Sequence, residues 1–186
     1  MRAFIALDLD APIRKALGRS QDSLRTLAPT LKFVDPASIH LTLKFLGDID
    51  ARSVPQIADQ LSAIAADVQS FEFAVRDLGC FGDRSQRVRT LWAGVDDSAG
   101  ELASLQARIE SAMDAIGYPP ETRPYAPHLT LARSRRPVPL PDVIRYIDAH
   151  KAIRFGEQHV EEIVVYESTL TREGPIYNAV SRCALR

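Results

Sequence analysis

The chain has 186 residues, 46% of them hydrophobic and 25% charged, which is enough for one folded domain or two small lobes sharing a core. Its formal net charge is −1, which excludes a global basic field able to hold a long duplex. No apolar run approaches the roughly 18 residues of a membrane-spanning helix, and Cys80 and Cys183 fit no metal spacing, so reduced thiols in a cytoplasmic protein are expected.

In chain order, "MRAFIALDLD" has two acids within ten residues and no small-residue cleavage pattern, and reads as a first strand rather than a signal peptide. "APIRKALGRSQDSLRTLA" follows with Ile13, Leu17, Leu24 and Leu27 at loose helical spacing. A proline-marked approach, "VDPASI", leads into "HLTLKFLGD", then the helical "ARSVPQIADQLSAIAADVQ" and the β-rich "FEFAVRDLGCF". The plan then repeats. "TLWAGVDD" has the form of the first strand, and "SAGELASLQARIESAMDAIG" carries a stripe of Leu102, Leu105, Ile109 and Met113. Ser98 is its predicted N-cap, with Glu101 three residues on and Gly117 as its stop. "TRPYAP" leads into a second HLTL, "RRPVPLPD" reads as a loop, "LPDVIRYIDAHKAI" as a helix, and "EQHVEEIVVYESTL" and "YNAVSRCAL" as strands. Each half is roughly β-α-β-α-β. The strands are mostly half-polar, which predicts antiparallel sheets with one wet face. The expectation is a single α+β domain over 1–186, made of two similar lobes (halves roughly 1–89 and 90–186) with helices outside.

His40 and His128 stand 88 residues apart in matched places of this repeat. On a regular strand His40, Thr42 and Lys44 share one face, and Leu41, Leu43 and Phe45 the other. His128, Thr130 and Ala132 align likewise, with Leu129 and Leu131 behind. The leucines are core, so the His/Thr faces look at water or a ligand. A single His-x-Thr is usually an ordinary polar face, but core packing alone would not keep both imidazoles. Metal ligation is the weaker use, because His150 and His159 have no counterparts in the first half and zinc wants a third and fourth ligand. Acid–base work needs only two imidazoles, one neutral and one protonated near neutral pH. Two histidines with two hydroxyls suit in-line displacement at a phosphodiester, one histidine per side and one threonine per non-bridging oxygen. Arginine outnumbers lysine nineteen to four and gathers in "GDRSQRVR" and "ARSRR", and its fork of donors matches phosphate.

The pair "HLTLKFLGD" and "HLTLAR" resembles the two His-x-Thr-x signatures of the 2H phosphoesterase superfamily. More narrowly it resembles the bacterial and archaeal RNA 2′,3′-cyclic phosphodiesterases, long called 2′-5′ RNA ligases. "RAFIALDL", "TLWAGV" and "PYAPHLTLAR" match that family in the same order, over essentially the whole chain. The resemblance implies a bilobal α+β fold, with two antiparallel sheets facing a central cleft in a pseudo-two-fold arrangement. It implies a substrate that is RNA, an oligonucleotide or a nucleoside ending in a 2′,3′-cyclic phosphate, opened to a 2′-phosphate with no metal and no cofactor. His40 would be the proton donor to the leaving 3′ oxygen and His128 the acceptor from water. Thr42 and Thr130 would hold non-bridging oxygens, and Arg133 would add charge to the phosphate. Strand parity sets Arg133 opposite His128, so it must lie past the regular strand or reach around. Phe45, which the family places near the terminal base, is core by the same parity. "GDRSQRVR" departs from the prolines that related sequences carry there, so the resemblance assigns Arg87 and Arg89 no part in substrate handling. The alternatives are the reverse reaction, 2′-5′ joining of tRNA halves, and a non-catalytic nucleotide-binding module. A cytoplasmic monomer, away from any membrane, is expected.

Overall fold

The structure is a computed structural model that describes residues 1–83, 87–172 and 174–186. The middle of "GDRSQRVR", residues 84–86, lies outside the described residues. The strands are β1 (Arg2–Leu7), β2 (Lys32–Phe33), β3 (Leu41–Asp48), β4 (Phe71–Asp83), β5 (Arg87–Asp96), β6 (His128–Val138), β7 (Arg154–Val160), β8 (Glu162–Leu170) and β9 (Pro175–Ala184). The helices are α1 (Ala11–Leu27), α2 (Val54–Ala65), α3 (Glu101–Ala115) and α4 (Pro141–Ala149). Among the described residues, no helix is long and apolar enough to cross a membrane.

The expected α+β architecture is present, and the antiparallel strands run in the order β7-β4-β5-β6-β3-β1-β8-β9, with β2 on β6. That order is palindromic. β6 and β3 sit at the centre, β5 and β1 outside them, then β4 and β8, then β7 and β9. The two half-sheets join through a single register pair, Leu41 with Leu129. Chain halves exchange strands: β4 from the first half pairs with β5, and β8 from the second pairs with β1.

Each helix turns an apolar stripe to the leucine face of this sheet. Ile13, Leu17 and Leu24 of α1, Ile57 and Leu61 of α2, Leu102, Leu105 and Ile109 of α3, and Val143 and Ile147 of α4 join Leu41, Leu43, Leu129 and Leu131 in one core. Fully burying such a side chain stabilises by about 1.5–3 kcal/mol. A proline within the first two positions starts α1, α2 and α4, where its missing N–H costs nothing. In α3 the capping differs from the sequence expectation. Gly100 (φ 77) is the N-cap, and Asp97, not Ser98, accepts from the N–H groups of Leu102 (3.1 Å) and Ala103 (2.8 Å). Asp97 has a longer reach than Ser98 and carries a charge that favours a helix N-terminus. Gly117 (φ 96) does end α3, with Tyr118 N–H on the Met113 carbonyl at 2.9 Å. "RRPVPLPD" is not wholly loop. Its first four residues extend β6, Val138 pairs with Val88, and a register irregularity accommodates Pro137.

Candidate active site

In an antiparallel ladder, pairing Leu41 with Leu129 sets Thr42 beside His128 and His40 beside Thr130. Leu41 and Leu129 are fully buried on the helix side. All four polar side chains therefore stand on the other face, around the dyad. That face opens into a cleft of about 1070 Å³ whose lining includes His40, Thr42, Thr130 and Arg133, with His128 outside that lining.

The two imidazoles are held the same way. His40 Nδ1 lies 2.9 Å from the Ser38 carbonyl, and His128 Nδ1 lies 2.8 Å from the Ala126 carbonyl. A carbonyl oxygen only accepts, so Nδ1 carries the proton in both rings and Nε2 is left for chemistry. His40 stacks on Phe4 (4.7 Å between centroids) and meets Tyr177 edge-on at 5.0 Å. His128 meets Phe81 edge-on at 4.8 Å. Burial pushes both histidines below their ordinary pKa of 6.5, and Arg133 adds to the depression at each. Arg133 thus lies within electrostatic reach of both rings. The carbonyl hydrogen bonds act in the opposite direction, and at His40 so does Asp8.

The strand-parity expectations fail at two residues in each motif, Lys44 and Phe45 in the first and Ala132 and Arg133 in the second, for one reason. Ile5 pairs with Lys44 but Ala6 with Thr42, so Leu43 is an extra residue in β3. Leu91 pairs with Ala132 but Trp92 with Thr130, so Leu131 is an extra residue in β6. These are matched β-bulges, and each resets the alternation. After the first, Lys44 turns inward at 2% exposure and Phe45 turns to the cleft at 51%. After the second, Ala132 is buried and Arg133 faces the cleft, its guanidinium donating to Thr130 Oγ1 at 3.2 Å. Arg133 therefore needs no detour past the strand, and Phe45 is not core.

Both bulge carbonyls are met by a buried glutamine. Gln21 of α1 donates to the carbonyls of Leu131 (2.9 Å) and Val34 (2.7 Å). Gln106 of α3 donates to the Leu43 carbonyl at 3.4 Å and to Glu110 at 3.2 Å. Inward Lys44 is neutralised by Glu110 at 2.7 Å and donates to the Pro119 carbonyl at 2.9 Å. A readable signal for this support existed, since each glutamine interrupts the apolar stripe of its helix. The aromatic surround of His40 carries no such signal. Tyr177 comes from β9 and Tyr166 from β8, where Tyr166 donates to Asp8 at 2.6 Å. Burial and Asp8 push the Tyr166 hydroxyl up to about 12.

A palindromic antiparallel sheet with a His-x-Thr strand on each side of its dyad is the architecture of a 2H phosphoesterase. Residues 14–171 match the model of the 2′-5′ RNA ligase superfamily, and the chain belongs to that superfamily. It is 32% identical to an RNA 2′,3′-cyclic phosphodiesterase of Methanothermobacter thermautotrophicus, over 95% of each chain. It is 31% identical to the Aquifex aeolicus protein of the same name, over 97% of this chain and 95% of that one. Among solved structures, TT0787 of Thermus thermophilus superposes with a TM-score of 0.83 at 27% identity, over 100% of this chain and 98% of its own. Escherichia coli LigT complexed with 3′-AMP shares the fold, with a TM-score of 0.77 at 24% identity over 99% and 97%.

Proposed function

We propose that the chain hydrolyses 2′,3′-cyclic phosphate ends of RNA to 2′-phosphomonoesters by a two-histidine mechanism that uses no metal. The observation that carries this reading is the quartet gathered at the Leu41–Leu129 pair, with both Nδ1 atoms already engaged. The names of the Methanothermobacter and Aquifex relatives support the substrate class. His128 Nε2 takes a proton from water as the water oxygen bonds to phosphorus. The bond from phosphorus to the 3′ oxygen breaks, and His40 Nε2 delivers a proton to that oxygen. Thr42, Thr130 and Arg133 hold the non-bridging oxygens, whose charge grows in the transition state. Asp8 supports His40 as the donor, because its carboxylate favours the protonated ring. Phe45, exposed in the cleft, offers an apolar face to the terminal nucleoside.

The test is incubation with a nucleoside 2′,3′-cyclic phosphate and a cyclic-ended oligonucleotide in excess EDTA, identifying the monoester isomer formed. The 2′ isomer is expected. His40→Ala and His128→Ala should each lose about 10²–10⁴-fold in rate while staying folded. An undiminished rate in His128→Ala, or the 3′ isomer as product, overturns the assignment.

A further inference from the structure

We propose that the cleft contains a second anion subsite, built by Lys32 and Arg25, that binds the phosphodiester one nucleotide upstream of the cyclic end; it rests on the hydrolase reading above. The cleft, at about 1070 Å³, stands at the top of the roughly 300–1,000 Å³ range of ligand pockets. Its lining includes the exposed apolar side chains Phe45 and Ile176, 51% and 53% exposed, and also the cations Lys32 and Arg25.

The placement of these two cations is the telling feature. Lys32 sits directly opposite Arg133 in the β2–β6 ladder, so two like charges share one face at neighbouring positions. Such a pair destabilises a sheet unless an anion lies between or beside the charges. Lys32 Nζ has three donors and, among the described residues, its recorded hydrogen bond is to the Arg172 carbonyl at 3.4 Å. The Arg25 guanidinium is laid over the Phe33 ring at 4.6 Å and forms a long, exposed ion pair with Asp22 at 3.9 Å, which leaves most of its donors free to turn to a ligand. Among the described residues lining the cleft, Arg2, Arg25, Lys32 and Arg133 face a single carboxylate, Asp35. One of the Asp35 oxygens already accepts from Ala37 N–H at 2.9 Å. A chain of net charge −1 thus concentrates a cationic excess here. With Arg133 committed to the cyclic phosphate, Lys32 at the neighbouring ladder position, with Arg25 in the lining of the same cleft, fits the next phosphate along a single strand.

The experiment compares a nucleoside 2′,3′-cyclic phosphate with a dinucleotide ending in the same group, for wild type, Lys32→Gln and a Lys32→Gln/Arg25→Gln variant. Wild type should favour the dinucleotide about tenfold in kcat/KM, chiefly through KM. Its salt dependence should be steeper by about 0.7 in log–log slope for one added phosphate contact. The double variant should erase both differences and leave turnover of the mononucleotide unchanged, which also shows that it is folded. Calorimetry with the matching 2′-phosphate products reads the same difference without turnover. Hydrolysis of both compounds with equal kcat/KM, or a dinucleotide advantage that survives the double variant, overturns the subsite and leaves the hydrolase reading standing. So does an equal loss on both compounds. Tighter binding of the dinucleotide product with neither compound hydrolysed does the reverse.

Discussion

Gln21 is 1% exposed and lies far from any reacting atom, yet it should set the position of Arg133. Its amide donates to the carbonyl of Leu131, the extra residue of the β6 bulge, and to the Val34 carbonyl. Replacing it by leucine, of similar volume, removes both donors. An orphaned buried acceptor costs about 1–3 kcal/mol. The Val34 carbonyl bears that cost, while the Leu131 carbonyl keeps the Val34 N–H at 2.9 Å and bears part of it. Gln21 Oε1 is itself buried without a partner, so its removal returns some of the loss. The net expectation for Gln21→Leu is about 2–3 kcal/mol. For a chain of this length that is a Tm lower by roughly 4–12 °C. Activity should fall beyond the unfolded fraction, because a bulge free to relax returns Arg133 towards the opposite face. Denaturant titration and kcat measured well below Tm separate the two effects. A variant within about 0.5 kcal/mol of wild type, or one destabilised with unaltered kcat, would refute the view that Gln21 holds the bulge.

Glu110→Ala strands the inward ammonium of Lys44 and should cost about 3 kcal/mol, the low end for a broken buried pair because Glu110 is 15% exposed. Adding Lys44→Met should recover most of that, and a denaturant double-mutant cycle checks it. Burial holds His40 and His128 below 6.5 in the folded chain, so on acidification the unfolded chain takes up these protons first. Stability should therefore fall as pH drops below about 6.5, and His40→Asn with His128→Asn should flatten a plot of denaturation midpoint against pH between about 5 and 8. Asp8→Asn removes a carboxylate that raises the His40 pKa, so the alkaline limb of kcat/KM should move to lower pH. An unmoved limb argues against His40 as the acid.

Much of the candidate site was legible because the motif is duplicated. Both histidines, both threonines and the strand-helix order follow from comparing one half of the sequence with the other. What stayed hidden was non-local or depended on a single extra residue. Period-2 parity predicts Phe45 as core and Lys44 as exposed, and one bulge at Leu43 inverts both. No local propensity distinguishes Leu43 from Leu41. The bulges are stabilised from α1 and α3, whose buried glutamines meet carbonyls 110 and 63 residues away. Tyr166 and Tyr177 reach His40 because β8 pairs with β1 across the chain, a choice that strand patterns alone do not make.

The departures from symmetry are as informative as the symmetry. His-x-Thr, the bulge and its supporting glutamine recur on both sides of the dyad, which suits a phosphorus centre attacked on one side and vacated on the other. At the residue after each bulge the copies differ, Phe45 against Arg133. Opposite each histidine they differ again, since the β5 partner of His128 is Gly94 and the matching place, just past the end of β1, is Asp8. A substrate end is itself lopsided, with a nucleoside on one side of phosphorus and water on the other. On the proposed reading, an apolar ring and an acid-supported histidine would lie with the nucleoside and its departing oxygen. A guanidinium and a histidine with glycine opposite it would lie with the phosphate and the incoming water. Exchanging residues 45 and 133 should therefore abolish turnover while leaving the quartet intact, and a swapped variant that retained wild-type kcat/KM would mean that the asymmetry has no part in orienting the substrate.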